Sequence, residues 1–189
     1  ATLLIGNITA IFQQSVKRML AYSSIAQAGF MLFALFSYNS LSKEGIILYA
    51  LGYSLATIGV FAVLIKMKDY TFEGFNGLAR TQPVLAATTS IFLLSLAGIP
   101  LTIGFFAKYF MLASAVKTGS YLWLVILAII CAAISVYYYF RVIQAMYFKE
   151  GSGETVEVTG VFRGLLVLVA GLIILFGIFP NMILNYLYF

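Results

Sequence analysis

VLAATTSIFLLSLAGIPLTIGFFAKYFMLASAV, residues 84–116, is apolar over roughly 33 positions and holds one charged side chain, Lys108. Runs of about 18 or more apolar residues mark helices that cross a bilayer. At about 1.5 Å per residue a straight helix of this stretch would measure about 50 Å, well beyond a hydrocarbon core of roughly 30 Å. Gly98-Ile99-Pro100 in its middle supplies the remedy. Pro100 has no N–H for the carbonyl four residues back, its ring crowds that turn, and Gly98 relaxes the backbone beside it. The pattern predicts a discontinuous helix, 84–97 and then 101–117, broken at membrane depth.

The rest of the chain fits a bilayer as solvent. Of 189 residues 63% are hydrophobic and 9% charged, against roughly 25% charged in soluble domains, and the mean hydropathy is +1.05. The predicted fold class is an all-α integral membrane protein, one transmembrane helical domain over residues 1–189. Splitting the apolar runs at charged and turn-rich clusters gives six segments. The first, 1–14, is too short to span by itself, and with Ala1 as first residue it reads as the inside of a helix that continues upstream, so an N-terminally truncated chain is expected. The second, 15–38, opens on Ser15, whose hydroxyl is expected to cap the free N–H groups of the first turn. The others are 45–66, the broken segment, 120–148 and 161–187. Between Tyr70 and Pro83 a mixed stretch is compatible with a short interfacial helix or a plain loop.

Charge gives the orientation. Lys17, Arg18, Lys66, Lys68, Arg80, Lys149 and Arg163 fall on one side, Lys43 and Lys117 on the other. The first side is expected to be cytoplasmic and the C-terminus to lie on the outer, periplasmic face. The formal charge of +5 is scattered over short connections and forms no basic stripe for nucleic acid. His is absent and Cys131 is the single cysteine, so a disulfide framework and the commonest metal sites are excluded, and Cys131 reads as a packed helix residue. No phosphate-binding loop or catalytic triad occurs.

Lys108 needs an explanation. It lies about nine residues inside its segment from Lys117, or roughly 14 Å, near the midplane, too deep to snorkel comfortably. A lysine there costs about 2.5–3.5 kcal/mol on insertion scales, and intramembrane ionisable residues mark ion or proton routes. Burial disfavours the charged form of an amine, so such a group can release a proton as well as hold one. The break exposes backbone groups at the same depth, which persist only where protein or water meets them, and Ser95 and Thr102 flank it. Lys17 stands beside Tyr22, Ser23, Ser24 and Gln27, a possible polar route from the cytoplasmic side. Positive-inside anchoring explains Lys17 equally well and Arg18 better. Arg141, after Tyr137-Tyr138-Tyr139, reads as a snorkelling cation in an aromatic belt, and Glu150, Glu154 and Glu157 read as solvated loop residues without chemistry.

SVKRMLAYSSIAQAGFML, LLSLAGIPLTIGFFAKYF and YYYFRV, in this order, resemble the antiporter-like, proton-translocating subunits of NADH:quinone oxidoreductase, respiratory complex I, over essentially the whole chain. The first two motifs are shared with the L and M types of that subunit and with Mrp-type antiporters. Lysine at 108 fits the N and L types, and the third segment lacks the His and Lys usual in the L type, which points to the N type. The resemblance implies a parent of about fourteen transmembrane helices with two inverted repeats, of which this piece would hold the second repeat and the last helix. It implies that Lys108, with Lys17 as a further candidate, carries protons while quinone reduction proceeds elsewhere. NADH, flavin, iron-sulfur clusters and quinone would then be bound by other subunits and no cofactor by this chain. Its partners would be the M-type subunit, the small J and K subunits and the lipid of the inner cell membrane. Gln27 stands where the family often has His; glutamine hydrogen-bonds but does not titrate, so a relay through it would need water. A cation/proton antiporter subunit and a purely structural assembly subunit are the alternative functions.

Overall fold

The computed structural model describes residues 1–119, 121–151 and 157–187. Ser120, at the expected start of the fifth segment, and Glu154 lie outside the described residues. Among the described residues there are ten α-helices: α1 Thr2–Ile11, α2 Val16–Met31, α3 Phe33–Ser37, α4 Ser40–Lys66, α5 Leu78–Thr81, α6 Pro83–Ala97, α7 Ile103–Thr118, α8 Leu122–Phe148, α9 Gly160–Ile178 and α10 Asn181–Leu184. No β-strand occurs among the described residues; Ser15 and Thr71 form one isolated bridge. Among the described residues four stretches are long and apolar enough to cross a membrane: Val16–Ser37, Ser40–Lys66, Leu122–Phe148 and Gly160–Ile178. Large apolar side chains such as Ile58, Ile65, Trp123, Ile126 and Val161 are exposed on their outer faces. A helix bundle with an apolar exterior has lipid as its solvent, so this is a multi-pass membrane protein.

Local chemistry moves several boundaries from where apolar runs alone put them. The helix expected from residue 45 starts at Ser40, because Asn39 and Ser42 form a capping box: Ser42 N–H donates to Asn39 Oδ1 at 3.1 Å and Asn39 N–H to Ser42 Oγ at 2.9 Å. Lys43 and Glu44 therefore belong to α4 rather than to the connection before it. Ser15 does not cap α2 with its hydroxyl. The Tyr70 carbonyl takes Val16 N–H at 2.8 Å and the Ser15 hydroxyl at 3.2 Å. The second segment is interrupted at Leu32, between α2 and α3, for which no proline or glycine accounts. The first segment ends at Ile11, short of residue 14, and the last stops at Ile178, not near 187, because Pro180 cannot continue the ladder.

The stretch between Tyr70 and Pro83 is an ordered cap on the basic end of the bundle. It makes a 3₁₀ turn, Glu73–Phe75, and then α5, and buries Phe75 and Leu78 completely. Thr71 N–H and hydroxyl both donate to the Asp69 carboxylate at 2.8 Å and hold it below the usual carboxylate range. The turn that presents Tyr70 to α2 is thus complete above the ordinary aspartate range and loosens as pH falls through the lowered value. Arg141 is half-buried against the same cap. Its guanidinium donates to the carbonyl of Ile11, the last residue of α1, at 2.9 Å and lies 4.1 Å from the centre of the Phe72 ring.

A glycine on every seventh residue of α4 lets the broken helix approach. A methyl group on Gly45 would lie 3.2 Å from Met111 N, one on Gly52 2.8 Å from Ile103 Cγ2, and one on Gly59 2.5 Å from Phe92 Cε2. The stripe thus runs from α7 across the break to α6, the small-residue packing expected where lipid gives helices no hydrophobic reason to associate.

A buried lysine at a broken helix

α6 ends in a Schellman motif. Gly98 adopts a φ of 85°, its N–H reaches the Ser95 carbonyl, and Ile99 N–H reaches the Leu94 carbonyl, both at 3.0 Å. Those bonds satisfy Leu94 and Ser95 but leave the Leu96 and Ala97 carbonyls, the first of which Pro100 would have met had it an N–H. Residues 98–102 are not helical, and Leu101 holds a φ of 73°, a left-handed conformation that costs a bulky residue about 1–3 kcal/mol. The Leu101 and Thr102 backbone packs on Gly177 of α9, where a methyl group would lie 2.5 Å from the Leu101 carbonyl oxygen. α7 then starts alongside the last turn of α6, with Gly104 directly against the Ser95 carbonyl.

Lys108 answers the two free carbonyls. Side chains on a helix lean toward its N-terminus, and from the second turn of α7 this one returns to α6, where Nζ donates to Leu96 O and Ala97 O, each at 2.9 Å. The residue is 7% exposed, and Nζ lies 4.9 Å from the centre of the Phe30 ring. Its cation thus stands at the negative end of the α6 dipole, against an aromatic face, and no Asp or Glu occurs in α1, α2, α6, α7 or α8. Gly98 is required here twice, because a Cβ would also fall 2.8 Å from Lys108 Cδ.

Gln27 carries the polar contacts onward. Its Nε2 donates to Leu96 O at 2.9 Å and to Tyr139 Oη at 3.1 Å, and its Oε1 accepts from the Tyr49 hydroxyl. The Tyr139 hydroxyl is also bonded to that of Ser23. Beside it the Tyr138 hydroxyl donates to Asn7 Oδ1 at 3.1 Å, and Asn7 Nδ2 donates to Leu3 O at 2.8 Å. A cavity of about 10 Å³ opens next to Lys108 between Gln27, Tyr49, Tyr53, Ser95 and Gly104.

Of the residues singled out from sequence, Lys108, Gln27, Ser23, Ser95 and the Gly98–Pro100 break come together. Lys17 is exposed, with Nζ 5.1 Å from the centre of the Tyr70 ring. Tyr22 is half-buried, and the Ser24 hydroxyl donates to its own helix at Ala21 O, 2.6 Å. Thr102 is buried at the start of α7 and donates to Ile99 O at 2.7 Å. Sequence reasoning missed Asn7, Phe30, Tyr49, Tyr138 and Tyr139. Three consecutive tyrosines on a helix point about 100° apart, so they cannot all face lipid; Tyr137 is exposed while Tyr138 and Tyr139 are fully buried. Asn7, an amide in the middle of the first apolar run, carried a similar signal.

The family model described as NADH:quinone oxidoreductase/Mrp antiporter, transmembrane, matches residues 1–135. The chain belongs to this family. Among curated relatives of this oxidoreductase/antiporter family, NADH-quinone oxidoreductase subunit N of Brevibacillus brevis is 40% identical over 99% of the chain and 38% of its own length. The protein of the same name from Trichlorobacter lovleyi is 41% identical over 98% of the chain and 39% of its length. A chain of respiratory complex I from Thermus thermophilus, solved with bound aureothin, superposes with a TM-score of 0.89 at 33% identity, over 97% of this chain and 43% of that one. The chain thus spans about two fifths of the length of the relatives it matches.

Proposed function

We propose that this chain is part of a proton-translocating membrane subunit of an NADH:quinone oxidoreductase, of the N type, in which Lys108 takes up and releases the transported proton. The observation that carries the reading is the setting of Lys108: a buried ammonium held by two carbonyls that a helix break sets free, beside a small cavity on which Gln27, Tyr49, Tyr53 and Ser95 border, with no carboxylate on α2, α6, α7 or α8. Intramembrane cations without an ionic partner are expensive and mark ion or proton routes. The neutral amine can accept a proton from one side and, after a change in its surroundings, give it up to the other. Quinone reduction and its cofactors belong to other subunits in this reading; this chain does no redox chemistry. Its partners are neighbouring membrane subunits, of the M, J and K types, and the lipid bilayer. Lys17, exposed at the basic end, would serve at most where protons enter. The names of the relatives at 40 and 41% identity favour the oxidoreductase over an Mrp-type cation/proton antiporter, although the family embraces both.

Replacement of Lys108 in the full-length protein, within its complex in proteoliposomes, tests this. Lys108→Gln keeps an N–H that can reach Leu96 O or Ala97 O but cannot titrate, so a merely structural cap survives it and a proton carrier does not. The expected result is normal assembly with proton uptake reduced by roughly 10²-fold or more, as for loss of an acid–base group. Near-normal pumping by both Lys108→Gln and Lys108→Ala would return Lys108 to a structural capping role.

A further inference from the structure

We infer that Phe30 is a positioning residue for the proton-loaded form of Lys108: its ring face holds the ammonium at the helix break and gives nothing to the free amine. The inference deepens the reading of Lys108 as proton carrier and rests on it.

The contacts of Lys108 respond differently to its charge. An ammonium has three hydrogens, and two of them are placed, on Leu96 O and Ala97 O. A free amine still has two hydrogens, so both carbonyls keep a donor, held more weakly, after the proton has gone. The ring behaves otherwise. Phe30 is 1% exposed, and Lys108 Nζ stands over its ring at 4.9 Å from the centre, inside the roughly 6 Å within which a cation is drawn to an aromatic face. That attraction is between a whole charge and the ring quadrupole, so it disappears with the charge, and a nitrogen lone pair turned to the ring meets its negative face. Away from water the attraction is at its largest.

The surroundings leave this task to the ring. α2, α3, α6, α7, α8 and α9 carry no Asp or Glu, and α4 carries Glu44 alone, half-buried next to the Gly45 that packs on Met111. Met111 lies about one turn further along α7, whereas the Lys108 side chain leans back toward the end of α6. Tyr49 and Tyr53 of α4 line the cavity beside Lys108, and Tyr139 of α8 connects through Gln27; these are neutral hydroxyls and supply no counter-charge. Phe30 follows Gln27 by three residues and so shares a side of α2 with it. Gln27 donates to Leu96 O, the carbonyl that also takes Lys108, so α2 meets the break with an amide and a ring. Gly29 fixes the depth of that ring by letting α2 lie against α1, where a methyl group would come 2.9 Å from Leu3 Cγ.

The test uses the full complex in proteoliposomes, with phenylalanines that bear one, two or three ring fluorines incorporated at position 30. Each fluorine draws electron density from the ring face and hardly changes its size, so a ring that only packs does not register the series. The expected result is normal assembly, an undiminished maximal rate and a proton concentration for half-maximal transport that rises roughly two-fold with each fluorine, about ten-fold for three. The same series at Phe92, fully buried against Gly59, is the control and should leave that concentration unchanged. A flat series at position 30, or an equal shift at position 92, overturns the inference. If Lys108→Gln is inactive while the series is flat, the proton-carrier reading survives without it; if Lys108→Gln pumps normally, both fall.

Discussion

At the scale of single residues, the chemistry was half legible. Lys108 stood out because a lysine at midplane depth cannot snorkel comfortably, and Gln27 because it shares a polar stretch with Tyr22, Ser23 and Ser24 and stands where the family often has His. What the sequence could not say is which partners, since Tyr49 and Tyr139 come from helices 22 and 112 residues further along the chain. Tyrosine hides this information, being equally at home in a lipid interface and in a buried hydrogen-bond network. The geometry gives Gln27 a measurable weight. Its substitution by Met, of similar volume, strands Tyr49 Oη among apolar atoms and removes a donor from both Leu96 O and Tyr139. Each buried group left without a partner costs about 1–3 kcal/mol, whereas exposed Lys17→Met costs next to nothing. Gln27→Met should therefore lower the thermal midpoint of the detergent-solubilised subunit by several degrees, and Gln27→Glu less so. Equal midpoints for Gln27→Met and Lys17→Met would mean that the network around Gln27 is not formed.

At the scale of elements, length and proline located the break, because a 50 Å helix cannot fit the membrane and Pro100 cannot bond its fourth neighbour. The form of the break depended on tertiary contacts. Gly98 was read as a loosener of the backbone and is the left-handed residue of a Schellman motif, while nothing in an apolar run foretold the strained Leu101. Capping explains the other shifted boundaries: Asn39 and Ser42 start α4 early, and the Tyr70 carbonyl replaces the Ser15 hydroxyl at the head of α2. Two glycines at the break make different predictions. Gly98→Ala puts a Cβ on a φ of 85° and against Lys108, a backbone cost of about 1–2 kcal/mol, and should leave an assembled subunit whose proton transport is impaired because Lys108 is displaced. Gly104→Ala drives a methyl group onto the Ser95 backbone carbonyl, which no rotamer can relieve, so α6 and α7 must separate. Its assembled yield in the membrane should fall well below that of Gly98→Ala. The reverse order would show that the two half-helices do not lie side by side.

At the scale of the whole molecule, the two ends of the bundle differ in charge, and the fold gathers that difference. Lys17, Arg18, Lys66, Arg80, Arg163 and the capping stretch from Tyr70 to Pro83 all belong to the end where α1 and α4 finish and α2, α6 and α9 begin, as the α4 terminus at Lys66 and the contact of Arg163 Nη2 with Gln82 Oε1 at 3.2 Å illustrate. Lys43 and Lys117 mark the opposite end, where the Asn39 amide reaches across to Ser114 O at 3.1 Å. Basic residues in short connections favour the cytoplasmic side, so from this asymmetry we propose that the end of α9 faces outward. The reading is checked with single cysteines in a background where Cys131, buried within α8, is changed to Ser. A cysteine at exposed Glu150 should react with a membrane-impermeant maleimide only from the cytoplasmic face, and one at exposed Lys117 only from the outer face. Because the two sites lie at opposite ends, an inverted molecule exchanges both results at once, whereas a site shielded by a partner subunit silences one and leaves the other informative. Reaction of Glu150→Cys from outside together with Lys117→Cys from inside would invert the assignment, and with it the direction proposed for proton transfer at Lys108.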